Sequence, residues 1–284
     1  MNSAQLRDAL VTRLQSLPRR ARMARGHRVR VEEGELLSDA GTPTAWRLHL
    51  PQCAGPLPAV LLCPGTNDGM DTFQGWRQPL NASEVTGMGF AVATFDPAGR
   101  GASWGEEDYG GPEHQDQVQR VLEALATHPQ VDATRVLVVS ISLGLSMAAG
   151  ALIDPPVSVR ALIDWEGPSD REIITAGGTR MAPALGHKLD DEAYWRPREG
   201  VRALDRLRCG YWRLQAERDH AQPGELRHAE RMIQAAEASS TLRWFRLNGH
   251  EPGELPERPQ WGASGRSAAN KALLRAIKQA AGVA

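Results

Sequence analysis

Ser142 is the residue of this chain whose setting points most directly to chemistry. It ends the run Val136-Leu-Val-Val-Ser-Ile-Ser142, and Leu143 to Ala151 follows as a helix rich in small residues. A continuous apolar run reads as a strand buried on both faces, so the serine stands at a strand-to-helix turn. Such a turn lifts a hydroxyl above a sheet edge, where it can attack an acyl carbon. The pentapeptide Ser140-Ile-Ser142-Leu-Gly144 follows the pattern Gly-x-Ser-x-Gly, with serine in place of the first glycine. A plainer reading makes Ser142 a helix-capping residue, and the pentapeptide alone does not separate the two. Ser146 is spelled similarly, but it lies about one turn inside the helix, where a serine serves close packing. Ser140 is still in the strand.

A serine hydroxyl needs a base, and the base needs an orienting carboxylate. In open parallel sheets, ligands sit outside the carboxyl ends of the strands, so the partners are sought there. The segment Tyr211-Trp-Arg-Leu-Gln-Ala-Glu-Arg-Asp219-His-Ala-Gln-Pro223 reads as a strand followed by an acidic loop, and Asp219 is the preferred acid. Glu217 and Glu166, the latter at the end of the preceding strand, compete with it. Trp244-Phe-Arg-Leu-Asn-Gly-His250 ends the last strand in a Gly-His turn, which makes His250 the preferred base. His187 lies ahead of the acid in a long insertion, and His228 falls in a charged helix. His220 adjoins Asp219 and cannot easily bridge that acid to Ser142. An oxyanion developing on the substrate needs two backbone N–H donors. Leu143 supplies one, and the loop Cys63-Pro-Gly65-Thr66-Asn67-Asp-Gly69 supplies the other from Thr66 or Asn67.

Four segments give these candidates a context. They are Asp96-Pro-Ala-Gly99-Arg-Gly101-Ala-Ser103-Trp-Gly105, Val131-Asp132-Ala-Thr-Arg135-Val136, and the pair Ala216-Glu-x-Asp219-His-x-x-Pro223 and Asn248-Gly249-His250. Taken together, the chain from about Thr44 to its C-terminus resembles an α/β-hydrolase. It is similar to the branch containing dienelactone-hydrolase-like esterases and the catalytic domains of prolyl-oligopeptidase-type peptidases. It departs from that pattern at Ser140, at Leu145 and at Ala216, where glycine is usual. The resemblance implies a serine hydrolase with its groups in the chain order Ser142, Asp219, His250. It also implies an acyl-enzyme intermediate, an oxyanion hole from Leu143 with Thr66 or Asn67, and no cofactor or metal.

The elements that must hold these residues alternate along the chain. Val29 to Leu37 and Thr44 to Leu50 read as strands joined by the turn Ser38-Asp-Ala-Gly41. Strands follow at Ala59–Cys63, Phe90–Phe95, Val136–Ile141, Ala161–Trp165, Tyr211–Leu214 and Leu242–Leu247. Helices are expected at Glu113–Ala126, Gly224–Ala238 and Ser264–Ala281. This is an α/β pattern, a mainly parallel sheet with helices on both faces. Residues 1–27 read as a basic helix or arm and 28–284 as the catalytic domain, with a short cap over the site at about 168–207.

Composition narrows the functions further. A net charge of -1 over 284 residues gives no field that favours nucleic acid or an anionic membrane. Three widely spaced cysteines fit a reducing compartment, and a cytoplasmic location is expected. No His or Cys spacing suits zinc. Gly99-Arg-Gly101-Ala-Ser-Trp-Gly105 lacks the spacing of a dinucleotide loop. A non-catalytic binding module is the remaining rival of a different class. The expected partner is a small acyl ester, with thioester or peptide cleavage as alternatives. Trp165 and Trp104, together with Trp76 and Trp195, are candidates to line its pocket. Facing the pocket, Glu166 would bind a substrate ammonium and favour aminopeptidase activity. Tied to an arginine such as Arg171, its role would be structural, and this second arrangement is preferred.

Overall fold

Strands whose alternate residues are both apolar can be covered on both faces, and the central strands are built this way. The computed structural model describes residues 22–23, 29–53, 55–75, 79–176, 181–221, 226–254 and 261–283. Its sheet has nine strands: β1 (Arg22–Met23), β2 (Val29–Leu37), β3 (Pro43–Pro51), β4 (Leu57–Cys63), β5 (Ala91–Phe95), β6 (Val131–Ile141), β7 (Ala161–Trp165), β8 (Gly210–Leu214) and β9 (Phe245–Leu247). Their order is β1-β2-β3-β5-β4-β6-β7-β8-β9. The pairings from β5 through β9 are parallel, while β1, β2 and β3 run antiparallel at one edge. Apart from β1, residues 1–27 lie outside the described residues, and so does the helix or arm expected there.

Side chains of β4 show the division of the core. Ala59, Leu61 and Cys63 pack into one cluster with α2 (Pro112–Ala126), α3 (Gly144–Ala151) and α8 (Arg227–Ala238). Val60 and Leu62 pack into the other with α1 (Ala82–Gly87) and α9 (Arg266–Ala281). Burial of both faces explains why these strands read as unbroken apolar runs. Strand β6 is longer than its apolar stretch, because Val131 pairs with Leu57 ahead of a register shift. Helix α1 was not anticipated. Its signal was Asn81, whose side chain accepts from the Ser83 N–H as an N-cap. Among the described residues no helix is long and apolar enough to cross a membrane.

Between β7 and β8 the described residues include the one-turn α-helices α4 (Arg171–Ile174), α5 (Ala182–Leu185), α6 (Glu192–Trp195) and α7 (Gly200–Ala203). Trp195 is fully buried there and packs with Ile174, Met181 and Leu185 onto Leu143, the residue after Ser142. Arg198 ties this layer to the loop between β5 and α2 by pairing with Asp108.

His49 on β3 carries a pH-dependent cost. It is buried, and its Nε2 has no hydrogen-bond partner among the described residues. Burial, reinforced by the nearby Arg47 charge, pushes its imidazole down to about 4. The neutral ring is therefore accepted by the fold, and the charged ring is not. Stability is complete above the ordinary value of 6.5 and is lost as pH falls from there to about 4, by roughly 3 kcal/mol. Urea unfolding at pH 7 and pH 4.5 should show this loss in the native chain. His49→Leu should remove most of the difference; an unchanged difference would assign the acid sensitivity to other groups.

Candidate active site

The apolar end of β6 drives the chain into α3 through Ser142, which takes φ 54, the left-handed region that non-glycine residues seldom occupy. Strain of this kind collects at functional sites. The Ser142 N–H donates to the Trp165 carbonyl at 3.0 Å, which pins the turn to the end of β7. Gly144 is required here. A β-carbon on it would lie 2.6 Å from the carbonyl oxygens of Cys63 and Pro64. Among the described residues, the Leu143 N–H at the start of α3 has no backbone acceptor. Ser146 is buried in α3 against Gly110, consistent with a packing role.

The loop after β4 lies against this turn. A β-carbon on Gly65 would come 3.3 Å from the Ile141 carbonyl and 3.4 Å from the Ser142 β-carbon. Buried Arg100 holds the loop in place, donating to the carbonyls of Gly65 at 2.7 Å and Asp68 at 3.1 Å while Glu107 accepts from its other face at 2.8 Å. The Asp96 carboxylate accepts from the N–H groups of Met70 and Ala102. These contacts explain the Asp-x-x-Gly-Arg-Gly turn physically, as a brace for the loop that faces Ser142.

A cleft of about 700 Å³ opens beside Ser142. Of the residues expected at the site, Ser142, Leu143, Thr66, Trp165, Glu166 and Asp219 line it. Asn67 does not, and Trp104 is 70% exposed elsewhere on the surface. Trp195 is buried inside the cap instead, and Trp76 lies outside the described residues.

Among the described residues, His250 is not one of those lining the cleft. Asn248 and Gly249 both take positive φ, 51 and 87, the conformation of a tight hairpin turn. That turn folds His250 back onto Leu247, with a 2.9 Å bond from the His250 N–H to the Leu247 carbonyl, and leaves it exposed. The imidazoles that line the cleft are His220 and His228. His220 Nδ1 lies 2.8 Å from Glu166 Oε2 and 3.8 Å from Asp219 Oδ1. Its ring stacks on Trp165 with centroids 4.5 Å apart, on the same residue whose carbonyl holds the Ser142 turn. Glu166, itself at φ 50, also accepts from the N–H groups of Ala216 and His220. Glu166 lines the cleft but its carboxylate is engaged by His220, and the pairing with Arg171 does not form, since Arg171 pairs with Glu192 and Glu199 instead.

Asp219 is 2% exposed and meets His228 Nε2 at 3.2 Å, Gln215 Nε2 at 3.0 Å and the Ala221 N–H at 2.8 Å. Burial alone would raise its carboxyl, but these donors outweigh it and hold the group below the usual carboxylate range. Burial pushes the Cys63 thiol up, which leaves it inert beside the turn. Sequence reasoning set His220 aside because it tested that residue only against Asp219. The stacking partner Trp165 and the acceptor Glu166 come from another strand.

A mainly parallel sheet covered on both faces, with a serine in a left-handed turn between its central strand and a helix, is the α/β-hydrolase fold in its serine-hydrolase branch. The chain belongs to the esterase FrsA-like family, whose model matches residues 6–176. That stretch includes Ser142 and Glu166 but not Asp219, His220 or His250. Esterase FrsA of Salmonella newport (strain SL254) is 30% identical over 145 residues, a match spanning 50% of this chain and 33% of the relative. Among solved structures, acetyl xylan esterase from Paenibacillus sp. R4 superposes with a TM-score of 0.63 at 13% identity, over 97% of this chain and 93% of that one. A Mycobacterium tuberculosis puromycin-hydrolyzing peptidase does so with 0.68 at 17%, over 95% and 41%. A 2,6-dihydroxy-pseudo-oxynicotine hydrolase gives 0.62 at 18%, over 99% and 72%.

Proposed function

We propose that the chain is a serine esterase that cleaves small or medium acyl esters through an acyl-enzyme. The observation that carries this reading is Ser142, held in a left-handed turn on a cleft that also holds the Glu166–His220 pair. Glu166 accepts the His220 Nδ1 proton, which leaves Nε2 to act as base. The Ser142 hydroxyl attacks the carbonyl carbon as its proton passes to His220. The Leu143 N–H, with Thr66 from the braced loop, stabilises the oxyanion. His220 then protonates the departing alcohol, and water enters by the same route to release the acid.

The cap presents Ile173, Ile174 and Met181 to the cleft, and β7 presents Trp165, an apolar wall suited to an acyl chain. With Glu166 engaged by His220, no carboxylate at that strand end is left to receive a substrate ammonium, which favours esters over aminoacyl amides. Relatives named as esterases agree with this. A panel of p-nitrophenyl esters of rising chain length, run beside aminoacyl anilides, tests it. Short and medium esters should be cleaved fastest, and a fluorophosphonate should label Ser142. Faster cleavage of the anilides would overturn the ester reading, and no labelling would overturn the nucleophile.

A further inference from the structure

Beneath the cleft lies a buried charge that the proposed chemistry does not use directly. Arg213 on β8 has no exposure at all, and neither has Asp164, its register partner on β7. Arg213 Nη1 donates to Asp164 Oδ2 and to the Gly167 carbonyl, both at 2.7 Å, and Nη2 donates to Gln215 Oε1 at 2.7 Å. Tyr211 adds its hydroxyl to Asp164 Oδ2 at 2.7 Å. Buried ion pairs seldom add net stability over apolar residues of the same size. This one also leaves the Arg213 Nε–H without an acceptor among the described residues. Such a pair calls for a role besides holding the fold.

Its contacts indicate that role. Asp164 Oδ1 accepts the Gly167 N–H at 3.0 Å while Arg213 holds the Gly167 carbonyl, so the pair grips both sides of one peptide residue. That residue directly follows Glu166, whose left-handed backbone aims its carboxylate at His220. Gly167 has no room for a side chain; a β-carbon would lie 2.5 Å from that of Leu145. On its other side Arg213 Nη2 stands 3.2 Å from His228 Nδ1. A guanidinium can only donate and a carbonyl can only accept, so Arg213 and the Gly167 carbonyl, also 3.2 Å away, compete at Nδ1, and the Arg213 contact favours the proton on Nε2, 3.2 Å from Asp219 Oδ2. Gln215, held by Arg213 through its oxygen, turns its amide N–H to the same carboxylate oxygen.

We infer that the Arg213–Asp164 pair is a positioning device that aims both carboxylates flanking His220, Glu166 through Gly167 and Asp219 through Gln215 and His228. The inference rests on the proposed reading of Ser142 and His220 as nucleophile and base. None of its members touches the reacting atoms, and its effect falls on the geometry of the base. A misplacement near 1 Å from a remote residue costs on the order of 100-fold in rate.

The test removes both charges at once, because a lone buried charge would compromise folding. Arg213→Met with Asp164→Leu should unfold near the native temperature, with kcat on a short ester lowered on the order of 100-fold and KM within about twofold. In 15N-imidazole NMR the native chain should show His228 as a single Nε2–H tautomer, its signals identified by their loss in His228→Gln. The double variant should show a mixture. A folded double variant with native kcat overturns the inference. If the native protein cleaves no ester and takes no fluorophosphonate, the reading of the site fails separately. The device is then read from NMR, where one unchanged His228 tautomer in the double variant overturns it. Should the double variant not fold, Arg213→Lys serves: its single ammonium cannot span Asp164, Gly167, Gln215 and His228. A fall in kcat of about tenfold or more supports the device, and native kcat overturns it.

Discussion

Ser142→Ala is expected to lower kcat on a short acyl ester by a factor on the order of 10⁴ while leaving the fold intact. The hydroxyl is the only atom lost that reacts, and the turn around it is held by other groups. Its N–H bond to Trp165, the close approach of Gly144 to the carbonyls of Cys63 and Pro64, and the Arg100 brace all remain. Alanine also tolerates the left-handed φ no worse than serine. The variant should keep its unfolding temperature within a few degrees and lose fluorophosphonate labelling. Substantial turnover by Ser142→Ala would remove the serine mechanism altogether.

The second large effect separates the two histidines. His220→Gln should lower kcat on the order of 10³, in the range expected for loss of a general base, whereas His250→Gln should leave it within about threefold. The grounds are positional: His220 lines the cleft and bonds Glu166, while His250 is exposed in a hairpin turn. Glu166→Gln should follow His220→Gln and exceed Asp219→Asn, since Glu166 meets the imidazole at 2.8 Å and Asp219 only at 3.8 Å. Steady-state kinetics on one ester across the four variants decides the matter. A dominant loss in His250→Gln, with Asp219→Asn worse than Glu166→Gln, would restore the triad read from chain order. It would require the turn at Asn248 and Gly249 to rearrange during catalysis.

The fold was legible because its signals are local. The apolar runs of β4 through β8 must be covered on both faces, and the residues between them repeat at helical spacing. Ser142 was legible for the same reason, since the strand, the small residues and the helix lie within fifteen positions of one another. The Asp96 to Gly105 segment could be recognised as a motif, but its purpose, bracing the Gly65 loop through Arg100, emerges only when the two loops meet.

The histidines and carboxylates that line the cleft depend on contacts between elements. Asn248-Gly249 carries a local hairpin signal that sends His250 back to Leu247, and reading it only as a Gly-His strand end hid this. His220 was judged beside its chain neighbour Asp219, although its acceptor Glu166 lies 54 positions away across β7 and β8. Arg213 and Asp164 sit in strands that read as apolar, and nothing in their spacing shows that they face each other across a register pair. The sequence by itself thus determined the sheet, the order of its elements and the serine turn at Ser142, because burial pattern and turn chemistry act over short stretches of chain. Which imidazoles and carboxylates line the cleft beside that serine was decided by the tertiary structure, because strand register and the left-handed turns after β6 and β7 set those positions.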